Sequence, residues 1–224
     1  MKRSAGARFM PNAHVFAGGA LDANDSLEES YHLCPRLNNA QASIRLNVPR
    51  DGLRYFVAAI RESFEEAGLL LAYDGSGGMV DLSGWSDAQL CEIRSRLSAG
   101  NIDLSSLCRQ HGWHLAPDRL AFFSHWITPP ASRRRFDTRF FMAAAPLHQT
   151  ASLVGSEMSE LVWRTPAEAL AQHAGGQLLL MLPTHAVLSE MARFAAIDEL
   201  LDFARCRTGI VPFTPDAPPI QPRG

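Results

Sequence analysis

"RESFEEAGL", residues 61–69, places Glu62, Glu65 and Glu66 within one short stretch and closes on Gly68. Upstream, Phe56, Ile60, Ser63 and Phe64 recur on one face, so Leu53 to Ala67 reads as an amphipathic helix. Gly68 stands where a C-terminal cap glycine belongs. On such a helix, positions three and four apart are neighbours, so the three glutamates converge. Each exposed like-charged pair costs about 0.2–0.5 kcal/mol, and more in a cleft. The helix macrodipole also disfavours negative charge at this C-terminal end. Two readings follow: a solvated acidic face, or a cluster of oxygen ligands for a hard divalent cation such as Mg²⁺ or Mn²⁺.

Outward from this helix the chain alternates strand-like and helix-like segments. "AHVFAGG" (13–19) predicts a short strand entering a glycine turn, and residues 20–52, rich in Asn, Asp, Ser and Pro, predict a long loop or irregular insertion. "LLLAY" (69–73) predicts a buried strand, and residues 86–99 and 103–111 two capped helices. "RLAFFSHWIT" (119–128) and "RFDTRFFMAAA" (135–145) predict a hairpin about a Pro- and Arg-rich turn. "ELVWRT" (160–165) predicts a strand, 166–174 a helix with proline at its first position, and 184–206 helix broken near Ala195. The fold class is α/β or α+β, with a mixed sheet between helices.

"RESFEEAGL" also matches the R-E-U-x-E-E-x-G-U half of the nudix box, and "VFAGG" (15–19) resembles the glycine half, with Ala17 where proline is usual. The chain therefore resembles a nudix hydrolase, which implies an α/β/α sandwich. Residues 20–52 separate the halves and form an insertion within the box. Counting on from Gly19, Asp25 falls where a glutamate is usual, but the insertion makes that correspondence too weak to name it a ligand. The interrupted box, with "FFSHWITPPASRRRFDTRFFMA" (122–143), "SELVWRTPAEAL" (159–170) and "LLLMLPTHAVLSEM" (178–191), is similar to the peroxisomal coenzyme A diphosphatase branch. This similarity implies one nudix domain over residues 1–206, a helical insertion at 83–117 and a proline-rich tail at 207–224. It also implies that an N-terminal strand is missing, which would leave a sheet edge open to aggregation or a homodimer.

The resemblance implies hydrolysis of a diphosphate joined to another moiety: coenzyme A or an acyl derivative, or else ADP-ribose or NADH. A catalytically inactive binding module is a further alternative. Glu62, Glu65 and Glu66, with the Gly18 carbonyl, would hold Mg²⁺ or Mn²⁺, and Arg61 would orient the carboxylates. Glu157 and Glu160 are candidates for the base, as is Glu66 itself. Arg133, Arg135 and Arg139 are candidates for gripping substrate phosphate, beside the plainer reading of Arg133 and Arg135 as solubilising charges on a turn. Asp137 is a candidate acceptor for Arg135 or Arg139.

A net charge of −2 gives no global basic field to recruit nucleic acid or an anionic membrane. Four scattered cysteines give neither a zinc knuckle nor a disulfide framework. No apolar run is long enough to span a bilayer, and the N-terminus lacks a secretory core. The expectation is a soluble cytoplasmic protein acting on a small nucleoside diphosphate derivative.

Overall fold

The computed structural model describes residues 1–7, 9–26 and 28–215. In chain order its elements are β1 (Lys2–Arg3), β2 (Ala13–His14), a 3-10 turn (Ala23–Ser26), α1 (Glu28–His32), α2 (Asn39–Leu46), α3 (Leu53–Ala67) and β3 (Ala72–Tyr73). There follow α4 (Asp87–Ser98), α5 (Leu104–His111), β4 (His114–Leu115), a 3-10 turn (Pro117–Arg119), β5 (Ala121–Ile127) and β6 (Asp137–Met142). Last come β7 (Met158–Glu160), α6 (Pro166–Ala174), β8 (Leu179–Leu180), α7 (Leu182–Met191) and α8 (Ile197–Cys206).

A mixed four-stranded sheet has the order β7-β1-β2-β8. Its β1 is antiparallel to both neighbours, and β2 runs parallel to β8. The pairs β3–β4 and β5–β6 are antiparallel. Helix α3 lies at the centre of the main core. Phe56, Val57, Ile60 and Phe64 are almost fully buried there, against Leu70, Leu107 and Leu115 among others. Each such side chain contributes about 1.5–3 kcal/mol relative to exposure, so this apolar stripe, spaced at the helical period, holds α3 in place. Helices α2 and α4 pack against it, and α8 packs on β5.

The helix at 53–67 and its cap agree with the sequence. Gly68 adopts φ 75°, its N–H donates to Phe64 O at 3.0 Å, and Leu69 N–H donates to Ser63 O at 3.3 Å. The hairpin, the helices near 86–98 and 104–111, and the break between α7 and α8 also stand where expected.

Other stretches differ. Residues 20–52 carry α1 and α2 rather than irregular chain. A capping box closes the start of α2: Asn38 Oδ1 accepts from Gln41 N–H at 2.9 Å, and Gln41 Oε1 accepts from Asn38 N–H at 3.1 Å. "LLLAY" is strand only at Ala72–Tyr73, because Leu70 gives its N–H and C=O to the Gln149 side chain instead. The strand expected at 160–165 lies at Met158–Glu160, where Met158 and Glu160 pair with Arg3 and Lys2 of β1. The expected tail is docked as far as Phe213, whose N–H donates to His125 O and whose C=O accepts from Ile127 N–H, both at 2.9 Å. Its last part, 216–224, lies outside the described residues.

Candidate active site

The site is built on the C-terminal half of α3. Buried apolar residues hold one face of the helix, so Arg61, Glu62, Glu65 and Glu66 stand together at its margin. Arg61 is the hub. Its Nη1 donates to Glu62 Oε1 at 2.8 Å and to Glu65 Oε1 at 3.3 Å, while its Nε and Nη2 donate to Asp25 Oδ1 and Oδ2 at 2.9 and 3.0 Å. A fifth bond runs from Nη2 to Ala20 O at 2.9 Å. The bidentate pairing fixes the guanidinium plane. Burial disfavours the Arg61 charge, but the Asp25 bonds and the charges of Glu62 and Glu65 outweigh it and raise its pKa.

Motif counting reaches Asp25 without assigning it a part in the site. Its side chain is 2% exposed, and its Oδ2 also accepts from Asp22 N–H at 2.7 Å. Its role is to anchor the arginine that orients two glutamates, not to stand in the glutamate cluster itself.

Gly18 and Gly19 close the other side. Gly18 N–H donates to Glu66 Oε2 at 2.8 Å, so this glycine is bonded to the cluster through its amide. A Cβ at Gly19 would lie 2.4 Å from Glu62 Oε1, so only a glycine admits Glu62 in this position. At Gly18 the space is open, but φ is 157°, a conformation L side chains rarely adopt.

Burial raises the pKa of all three glutamates. Arg61 pulls Glu62 and Glu65 back. Glu66 has only the Gly18 amide and the more distant Arg3 against burial and the charges of Glu62 and Glu157, and it is pushed up to about 7. As these side chains stand, among the described residues no three His, Cys, Asp or Glu side chains are arranged to hold an ion. Glu62 and Glu65 are turned onto the guanidinium and Glu66 onto the amide. The donor set nevertheless suits a hard divalent cation: carboxylate oxygens only, on one helix end, with a charge deficit that burial makes costly.

The other candidates lie further out. Glu157 is exposed and bonded to Arg3 at 3.1 Å, near enough to raise the Glu66 pKa. Glu160 is on β7 opposite Lys2. Arg133 and Arg135 sit on the exposed turn between β5 and β6. Arg139 is 7% exposed, donates to Asp137 Oδ1 at 2.9 Å and stacks 4.2 Å over the Tyr55 ring. The structure thus brings Arg61, the three glutamates and Gly18 together, and leaves the arginines of the hairpin outside that cluster. A cavity of about 100 Å³ opens beside Arg61 and Glu65, lined also by Asp22, Asp25 and Asp103.

A capped helix ending in an arginine-centred glutamate cluster, faced by a glycine turn, defines a class. The chain belongs to the Nudix domain family: the family model described as the NUDT19 Nudix domain matches residues 35–193. It is 29% identical to the acyl-coenzyme A diphosphatase NUDT19 of Gallus gallus over 92% of this chain and 64% of that protein. It is 26% identical to the Xenopus laevis protein of the same name, over 91% and 61%. The chain thus spans less than two thirds of these curated relatives. Among solved structures, a NUDIX hydrolase from Alicyclobacillus acidocaldarius superposes with a TM-score of 0.73 at 25% identity, covering 90% of this chain and 85% of that one. The α/β/α arrangement of mixed sheet and helices is that of this fold. Among the described residues no helix is long and apolar enough to cross a membrane.

Proposed function

We propose that this chain is a divalent-metal-dependent diphosphatase that adds water across the diphosphate of coenzyme A or an acyl-coenzyme A. The products would be the 4′-phosphopantetheine and adenosine 3′,5′-bisphosphate. The observation that carries this reading is the half-buried Glu62–Glu65–Glu66 cluster, two of its members ordered by Arg61, in a chain whose relatives are named acyl-coenzyme A diphosphatases.

Glu62, Glu65 and Glu66, with the Gly18 carbonyl, would hold Mg²⁺ or Mn²⁺. The ion, when bound, supplies neutralisation of phosphate charge and a more acidic water. The chain's own residues do the rest. Arg61, fixed by Asp25, keeps Glu62 and Glu65 on one side of the helix. Glu66, bound to the Gly18 amide through Oε2, is one candidate to take a proton, in an arrangement where Glu62 and Glu65 hold the ion without it. Glu157 is the second candidate for that role. Arg133 and Arg135, on the exposed turn, suit the 3′-phosphate, with Arg139 beneath them bracing Asp137.

Coenzyme A, ADP-ribose and NADH, each incubated with Mg²⁺ or Mn²⁺ and followed by mass, test the proposal. Metal-dependent release of phosphopantetheine from coenzyme A by the wild type, absent in Glu65→Gln, is the expected result. Turnover of ADP-ribose or NADH alone would overturn the substrate. No turnover of any, in a chain that is folded, would overturn the enzyme and favour a binding module.

A further inference from the structure

Arg94, in α4, is one of the most completely buried side chains of the molecule, at 1% exposure. A buried arginine ordinarily has a carboxylate partner, yet among the described residues none pairs with this one. All its bonds go elsewhere. Nε and Nη2 donate to the backbone carbonyl of Glu65 at 3.2 and 3.1 Å. Nη1 donates to Ser152 Oγ at 2.9 Å, and Nη2 to Ser152 O at 2.8 Å. The Glu65 carbonyl belongs to the last turn of α3, where carbonyls lack helical donors and the macrodipole is negative. No basic residue of α3 itself lies in that turn. The cation is brought in from another helix.

The surroundings close on the same place. Ser152 N–H donates to Ala67 O at 3.0 Å, so one serine joins Arg94 to the final turn of α3. A Cβ at Gly68 would stand 3.0 Å from Arg94 Nη1, so the close approach of the guanidinium to the cap relies on glycine there. The segment between α3 and β3 is held by the Gln149 side chain, which donates to Leu70 O and Val80 O and accepts from Leu70 N–H.

We propose that Arg94 is a positioning residue for diphosphate hydrolysis: it fixes the last turn of α3, and so the backbone from which Glu65 and Glu66 project. The segment read from sequence as a helical insertion is on this account part of the catalytic apparatus. This rests on the function proposed above, and the structural half of the idea is measurable without it.

The test compares Arg94→Met and Arg94→Lys with wild type by steady-state kinetics on coenzyme A and by amide hydrogen exchange. In Arg94→Met, kcat should fall by roughly tenfold or more while KM stays within about threefold, because the reacting geometry is lost and substrate contacts remain. Amides of residues 65–69 should exchange at least roughly tenfold faster, with the first turns of α3 unchanged. Arg94→Lys, which keeps charge but not the fork, should recover part of both losses. A folded Arg94→Met with wild-type kcat and wild-type exchange at 65–69 would overturn the proposal, as would a proportional loss of every stability and kinetic parameter that lysine does not relieve. Should Arg94→Met fail to fold, Arg94→Lys and Ser152→Ala carry the test: wild-type kcat and exchange in both overturn it. A wild type inert on every diphosphate would sink the function while the exchange arm still decides the role of Arg94 in the turn.

Discussion

Glu66→Gln should stabilise the metal-free protein at alkaline pH while abolishing metal-dependent turnover. Glu66 is half-buried, and its pKa is pushed up from 4.5 to about 7. A carboxyl raised in the folded state holds its proton more tightly there than in the unfolded chain. Its stabilising contribution is therefore fully present below about pH 4.5 and lost as pH rises through about 7. A displacement of that size corresponds to roughly 3 kcal/mol. Because Glu62 and Glu157 share the local charge, a gap of about 2–3 kcal/mol between variant and wild type is expected at pH 8. Glutamine keeps an oxygen for the Gly18 N–H, so that bond survives. The assay is urea unfolding in chelator at pH 5 and pH 8. Near pH 5 the two proteins should differ little; at pH 8 the variant should be the more stable. Millimolar Mg²⁺ or Mn²⁺ should then stabilise the wild type selectively. A variant less stable than wild type at pH 8, or a gap that does not change with pH, would refute the reasoning.

Asp25→Asn removes the bidentate charged partner of Arg61 and leaves it only Glu62 and Glu65, so unfolding should lose about 2 kcal/mol, with kcat falling alongside, as thermal melts and turnover would show. Gly19→Ala inserts a Cβ into the place of Glu62; kcat should drop roughly tenfold or more, with Mn²⁺ affinity weakened, measured by kinetics and calorimetry. Arg133→Ala combined with Arg135→Ala should raise KM for coenzyme A roughly fivefold but leave dephospho-coenzyme A unchanged, which a comparison of the two substrates would detect.

The acidic helix was legible because its signals are local. A 3.6-residue apolar stripe, a glycine cap and three glutamates all lie within residues 53–68. The β5–β6 hairpin was legible for the same reason, in its aromatic and β-branched alternation. The helices within 20–52 were hidden because they are short and polar, and α2 is announced only by the reciprocal Asn38–Gln41 cap. Counting from Gly19 reached Asp25 but not its role, because Asp25 acts through Arg61, far along the chain. Arg94 did leave a trace: with Leu90 and Leu97 it occupies one stripe of α4, a charge where the helical period asks for an apolar residue. The short strands β1, β2, β7 and β8 were least legible, since two- or three-residue strands are defined by partners and not by their own composition.

The two neighbouring glycines of the turn answer to different selections. At Gly18 nothing lies within 4 Å of a would-be Cβ, so its constraint is torsional. At Gly19 the constraint is volume, imposed by Glu62. A saturation scan of this pair should therefore give two dissimilar profiles: graded by backbone tolerance at the first position, and a step between hydrogen and methyl at the second. In a library of such variants, the empty space beside Glu62 would behave as an inherited part of the site, as intolerant of replacement as any side chain there.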